Sequence, residues 1–393
     1  MRGNMVREAT EHLKNIIIPF WKGLRDNEFG GYYGYMDQDL IVDKKAFKGC
    51  ILNSRILWFF SNAYMTLKDE SLLDEADNAF SFLKDHCYDS EYGGVYWSVE
   101  HDGNVREDVK YTYNLAFAVY ALSSYFDASG NKEAVSLAKE IYDVIEIKCR
   151  DEKGYLESGN RKFEPISNEE LSENGVIASR TMNTLLHVME AYTELYRVTG
   201  QSEVRKSLDR ILDIYTKHIY NPVLHRQEVF FDDDYKPLID LYSYGHDIET
   251  SWLMDRTVEI LGDPEWEKII SPITRDLTAN IYKVAFDGRS LANECEKGTV
   301  SEKRIWWVQA EALLGFLNGY QKDPSRKEYL EAAKAEWDFI MDHVVDKRNG
   351  SEWFSEVSPE GIPYKEIPIV EPWKCPYHNG RMCMEIIKRN IDE

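Results

Sequence analysis

The sequence predicts an all-α fold, an (α/α)6 barrel of six helical hairpins whose short β-hairpin loops gather at one mouth. Two observations carry that expectation. The first is a repeated device. EFGGYYGYMDQDL (28–40) and EYGGVYWSVEHDG (91–103) each set Gly-Gly before alternating aromatics and a polar turn, the pattern of a short β-hairpin. Weaker copies follow in EKGYLESG (152–159), LHRQEVFFDDDYKP (224–237), FDGRSLANECEKG (286–298) and RNGSEWFSEVSPEG (348–361). They recur about every 60 to 70 residues, a period suited to one helical pair plus a hairpin. The second observation is that two kinds of helix alternate between them.

Taken in order, the chain opens on an amphipathic helix and then passes the first Gly-Gly loop. ILNSRILWFFSNAYMTL (51–67) follows, apolar nearly all round, and then LLDEADNAFSFLKDHCYD (72–89), charged on one side. The same succession brings the apolar segments YTYNLAFAVYALSSYF (111–126), ASRTMNTLLHVMEAYTELY (178–196), GHDIETSWLMDRTVEIL (245–261) and RIWWVQAEALLGFLNGY (304–320). RKEYLEAAKAEWDFIMDHVVD (326–346) is again amphipathic, and PYHNGRMCMEIIKRN (376–390) ends the series. A helix with one polar face can lie on the outside, whereas one apolar all round must be covered on both sides. Six of each make an inner ring within an outer ring. No Pro- or Gly-rich linker or composition shift divides the chain, so residues 1–393 read as one catalytic domain.

Composition narrows the functional classes. Of the 393 residues 43% are hydrophobic and 30% charged, enough for a large core. A net charge of −22 repels phosphate backbones and anionic lipid, so neither nucleic acid nor membrane is the expected partner. No apolar run approaches the roughly 20 residues of a membrane span, and the N-terminus lacks the apolar core of a secretory signal. The six cysteines, Cys50, Cys87, Cys149, Cys295, Cys375 and Cys383, show no C-x-x-C spacing, which suits reduced thiols in a cytoplasm. Well-charged outer helices point to a monomer. Aromatic residues make up 13% of the chain, and Trp and Tyr are the side chains on which the apolar faces of sugars stack.

Each inner segment carries unusual residues in its first two turns: Arg55; Tyr113; Asn183 and His187; His246, Glu249 and Trp252; Trp306, Trp307 and Glu311; and His378, with Trp373 just before it. A lone His on an apolar face is usually structural. Three of them at matching positions of repeat units, with two Glu and an Arg, need a shared cavity or mutual pairing to be buried at all. A metal site held by these histidines lacks the compact H-x-x-x-H spacing that would identify it. No G-x-S-x-G, P-loop or strand-linked G-x-G-x-x-G occurs, so neither a serine nucleophile nor a nucleotide cofactor is indicated. Two readings remain open: glycoside hydrolysis by Glu249 and Glu311, and proton transfer by paired histidines, whose ordinary pKa suits work near neutrality.

Five segments resemble the cellobiose 2-epimerases, members of the N-acylglucosamine 2-epimerase superfamily. They are KGCILNSRILWFFSNAYMTL (48–67), LSENGVIASRTMNTLLHVMEAYTELYR (171–197), SYGHDIETSWLMD (243–255), RIWWVQAEALLGFLNGYQK (304–322) and VEPWKCPYHNGRMCMEIIKR (370–389). The resemblance implies inversion at C2 of the reducing-end sugar of β-1,4-linked disaccharides such as cellobiose and lactose, through ring opening and a cis-enediolate. It implies no metal, nucleotide or redox cofactor. His246 and His378 match the acid/base pair. Glu249 would orient His246, and His187 would contact the sugar and help ring opening, with Asn183 beside it. Arg55 would neutralise the enediolate, with Tyr113 nearby. Trp307 would form the floor of the reducing sugar, Glu311 would bind its hydroxyls, and Trp373 would stack on the second sugar. Within the superfamily the alternatives are an aldose–ketose isomerase and an N-acylglucosamine 2-epimerase; outside it, an α/α-barrel glycosidase and a non-catalytic sugar-binding barrel.

Overall fold

A computed structural model describes residues 4–168 and 174–391; Leu171 to Glu173, the start of the LSENG motif, lie outside the described residues. The first helix, α1, runs Met5–His12 and continues through Leu13–Ile17 and Ile18–Gly23. Then come α2 (Cys50–Leu67), α3 (Glu70–Phe82), α4 (Thr112–Ser129), α5 (Lys132–Lys148), α6 (Met182–Thr199) and α7 (Ser202–Ile214). The series ends with α8 (Tyr244–Leu261), α9 (Pro264–Val284), α10 (Trp306–Lys322), α11 (Lys327–Phe339) and α12 (Tyr377–Arg389). The even-numbered helices are the apolar segments, and each packs on the next even-numbered one. Because α12 also packs on α2, they close an inner ring. The odd-numbered helices lie outside, with α1 against α12. This is the expected (α/α)6 barrel. No helix among the described residues is long and apolar enough to cross a membrane.

Local chemistry sets the turns away from the mouth. Helices α4, α6 and α8 each end on a left-handed glycine, Gly130, Gly200 and Gly262, where a side chain would be strained. Asp69, Asn131 and Asp263 cap the outer helices α3, α5 and α9 by accepting backbone N–H bonds. Three outer helices finish in a π-helical turn, at Leu83–Cys87, Tyr215–Ile219 and Ile340–Val344 after α3, α7 and α11, and α1 contains one at Leu13–Ile17.

The loops at the mouth are organised differently from the expected row of separate hairpins. Continuous hairpins occur at 98–107, 220–227 and 294–301. The first Gly-Gly segment makes only single bridges, Arg25 with Tyr32 and Met36 with Val42. The main pairing is instead lateral, because the residues entering each inner helix pair with the loop of the next repeat. Lys48–Gly49 pairs with Ser98–Val99, Lys110–Tyr111 with Ser158–Gly159, Arg180–Thr181 with Phe230–Phe231, Leu241–Ser243 with Glu294–Glu296, and Arg304–Ile305 with Glu356–Val357. Met36 of the first loop bridges to Val370, just before α12, and closes the belt.

Buried charge pins the belt. Lys48 donates to Asp26 at 2.7 Å and Lys110 to Asp89 at 3.0 Å, with all four side chains inaccessible to solvent. Lys374–Glu352 is likewise buried on both sides, whereas in Arg180–Asp151 and Arg304–Asp287 the cation is buried and the aspartate exposed. In the fourth repeat the corresponding positions hold Asn221, which caps its own turn through the N–H groups of Val223 and Leu224, and Tyr242. That repeat is pinned instead by Arg226, which pairs with Asp240 at 2.7 Å just before the strand entering α8.

Candidate active site

Arg381, from α12, lies at the bottom of the mouth and is 2% exposed. Its Nη2 donates to Glu249 Oε1 at 2.5 Å and to Glu311 Oε1 at 2.7 Å, and its Nη1 donates to Glu190 and to the Tyr377 hydroxyl. The guanidinium also lies over the rings of Tyr377 and Trp252, at 4.3 and 4.8 Å. Three carboxyls from three inner helices thus converge on one cation from a fourth. Burial pushes Glu190 up, but Arg381 and His187 outweigh it and bring the group down to about 2. Burial and the neighbouring Glu311 drive Glu249 the other way, well above the ordinary range against the pull of Arg381.

The three histidines are attached around this hub, each through Nδ1. His187 Nδ1 meets Glu190 Oε2 at 2.9 Å, His378 Nδ1 meets Glu311 Oε1 at 2.7 Å, and His246 Nδ1 meets the Ser243 hydroxyl at 2.7 Å. That leaves the Nε2 atoms as the nitrogens free for chemistry. Trp307 packs against two of these rings, its centroid 4.8 Å from that of His246 and 5.5 Å from that of His378. Burial lowers all three imidazoles: His246 to about 3, with help from His187, and His378 well below the usual value, with help from Arg381 and Arg55. They are neutral near pH 7 and able to accept a proton.

Arg55 forms the opposite wall. Its Nη2 donates to the Tyr113 hydroxyl at 2.7 Å and its Nη1 to the Trp373 carbonyl at 3.3 Å, while the guanidinium lies 4.1 Å from the Phe117 ring centroid. Its hydrogen-bond partners are all neutral, and Nε has none among the described residues. A buried guanidinium paired this way is a ready acceptor for developing negative charge. The Tyr113 ring packs edge-on to His187 at 5.1 Å, and Trp373 packs against Tyr113 and Trp97 at 5.9 and 5.4 Å.

The structure brings together His187, His246, His378, Glu249, Glu311, Arg55, Tyr113, Trp307 and Trp373, and changes two of their expected roles. Glu249 does not hold His246: it bonds Arg381 and lies 3.9 Å from His378 Nδ1. His246, at the mouth end of α8, is held by Ser243 instead, one turn earlier. Glu311 is fully buried and committed to the hub rather than to a sugar hydroxyl, its Oε1 meeting His378 and Arg381 and its Oε2 the Trp252 indole N–H at 2.9 Å. Asn183 lies half-buried at the start of α6, its Oδ1 without a partner among the described residues.

Sequence reasoning missed Arg381, Glu190, Tyr377, Trp97, Ser243 and Gly245. The last has a signal in retrospect, a glycine in the first turn of a helix. A Cβ there would stand 2.6 Å from the Trp307 ring, so the indole fits only over bare backbone. Glu249, Glu311 and His378 offer ligand atoms within 4.8 Å of one another, a spacing suited to a metal ion. Arg381 already donates to both carboxyls there, and a cation would have to displace it.

The profile of the N-acylglucosamine 2-epimerase (GlcNAc 2-epimerase) family matches residues 31–378. A cellobiose 2-epimerase of Eubacterium cellulosolvens is 50% identical over 97% of this chain and 98% of its own. One of Ruminococcus albus is 48% identical over 99% and 100%. The crystal structure of a sugar epimerase from a ruminal bacterium superposes with a TM-score of 0.98 at 48% identity, covering 99% of this chain and 100% of that one. On the profile and on relatives matched over nearly their whole length, the chain belongs to the N-acylglucosamine 2-epimerase family.

Proposed function

We propose that the chain inverts C2 of the reducing-end sugar of β-1,4-linked disaccharides, cellobiose foremost. The observation that carries this reading is the pair of imidazoles, His246 and His378, both packed against the Trp307 indole, each tied down at Nδ1 and with no partner for Nε2 among the described residues. Epimerisation needs two proton-transferring groups on opposite faces of one carbon. With the ring opened with help from His187, one imidazole takes the C2 proton and the C–H electron pair enters the C1–C2 bond. The charge then rests on the O1 side, where Arg55 meets it. The other imidazole, which first draws a proton from solvent, passes it to the opposite face, the first releases its own proton to solvent, and the ring closes on the epimer. Placed acid/base groups of this kind contribute about 10²–10⁴-fold, with orientation over Trp307 adding to it. The relatives bearing the name cellobiose 2-epimerase support the substrate class. The unbridged cysteines, mostly buried, favour a reducing cytoplasm as the setting.

Hydrolysis by Glu249 and Glu311 is not supported. Both carboxyls accept from the same Arg381 nitrogen, so they do not stand on two sides of a sugar. Incubation with cellobiose in D₂O, followed by NMR, tests the proposal. The expected product is glucosyl-mannose with deuterium at C2 and the glycosidic bond intact; free glucose would overturn it. His246→Ala and His378→Ala should each abolish C2 exchange while cellobiose still quenches tryptophan fluorescence.

A further inference from the structure

Ser243 occupies the N-cap of α8, where a serine hydroxyl ordinarily accepts a backbone N–H and is worth about 1 kcal/mol to the helix. It makes no such bond. Thr181, the hydroxyl residue at the same place on α6, does cap its helix, accepting from Thr184 N at 3.0 Å. The Ser243 hydroxyl is turned instead onto His246 Nδ1 at 2.7 Å. Its backbone is fixed by pairing with Glu294 in the belt, and the residue is 7% exposed. His187 and His378 are tied to carboxylates, and His246 alone to a hydroxyl.

We propose that Ser243 is a positioning residue for His246, setting its ring orientation. This rests on the assignment of His246 as one of the two proton-transferring groups. To take a proton at Nε2, the neutral imidazole must carry its hydrogen on Nδ1, and the imidazolium carries one there too. A hydroxyl can accept that Nδ1–H in both states. Unlike the carboxylates on His187 and His378, it does so without a negative charge that would hold the imidazolium in place. His246 therefore releases its proton to carbon more readily than an imidazole tied to a carboxylate, and the two sides of the reacting carbon are unequal by construction.

The experiment compares wild type, Ser243→Ala, Ser243→Thr and His246→Ala for cellobiose turnover and for C2 deuterium exchange. Ser243→Ala should lower kcat about 10- to 100-fold, as loss of a histidine's orienting partner does, with KM close to wild type. Ser243→Thr, which keeps the hydroxyl, should recover most of kcat. An alanine variant with wild-type kcat beside an inactive His246→Ala would overturn the role of Ser243 while leaving His246 in the mechanism. If Ser243→Ala is merely unstable, the threonine variant decides, because restored thermal stability without restored kcat also overturns it. Activity in His246→Ala would remove both residues at once.

Discussion

At Arg381 one guanidinium answers to three glutamates, two of which also orient histidines. Removing it leaves carboxyls buried with no counter-charge, so Arg381→Met should destabilise by about 3–5 kcal/mol in urea denaturation, beyond its effect on turnover. Nothing local in RMCMEIIKR marks this arginine. On a C-terminal amphipathic segment it reads as one more surface charge, and its partners Glu190, Glu249 and Glu311 come from three other helices. The histidines were legible because imidazoles at matching places in a repeat are unusual, whereas their bonding partners depend on side-chain direction across the ring. The aspartate beside His246 belongs at this scale too. Asp247 is buried and accepts only from Gln227, so its carboxyl is pushed up to about 8, by burial first and despite those hydrogen bonds. A raised carboxyl stays protonated in the folded state, so stability falls as pH rises from the ordinary carboxylate range towards 8. Asp247→Asn should cancel that loss, and its melting temperature should gain on wild type between pH 5 and 8.

Among the elements, the inner helices were readable end to end, because a segment apolar all round can only be buried on two sides. Their starts carry the finer requirements. In α8, Gly245→Ala would drive a methyl into Trp307 and Val308, where contacts of 2.6 and 2.7 Å leave no room. About 1–3 kcal/mol of stability should be lost, and kcat for cellobiose should fall as the indole packed against His246 and His378 shifts. The π-helical turns of four outer helices were not readable, since one extra residue in a single turn leaves the apolar period almost unchanged. Nor was the lateral pairing of the loops. Gly-Gly-aromatic patterning announces a turn and a strand, but not which strand lies beside it. The ionic pins have a clearer mark, a basic residue shortly before an inner helix. Lys48→Met would leave Asp26 buried without its cation and should cost about 3–5 kcal/mol, measurable by denaturation with catalytic residues untouched.

The molecule as a whole was legible as a count of six, because the repeat is long and each copy carries both a helix pair and a loop. The count implies a ring but not how the ring is sealed. It is sealed three times over: by α12 on α2, by α1 on α12, and at the mouth by Met36 on Val370. A ring held in this way depends little on the continuity of its own backbone. Suppose a protease site were placed in the turn at Gly200–Gln201, remote from the mouth, and cut. The contacts of α6 with α8, the Arg180–Thr181 pairing with Phe230–Phe231 and all three seals would still cross between the fragments. The nicked protein should elute at its original size and still exchange deuterium into cellobiose. The two halves, expressed separately and mixed, would then amount to a split enzyme whose activity reports their reunion.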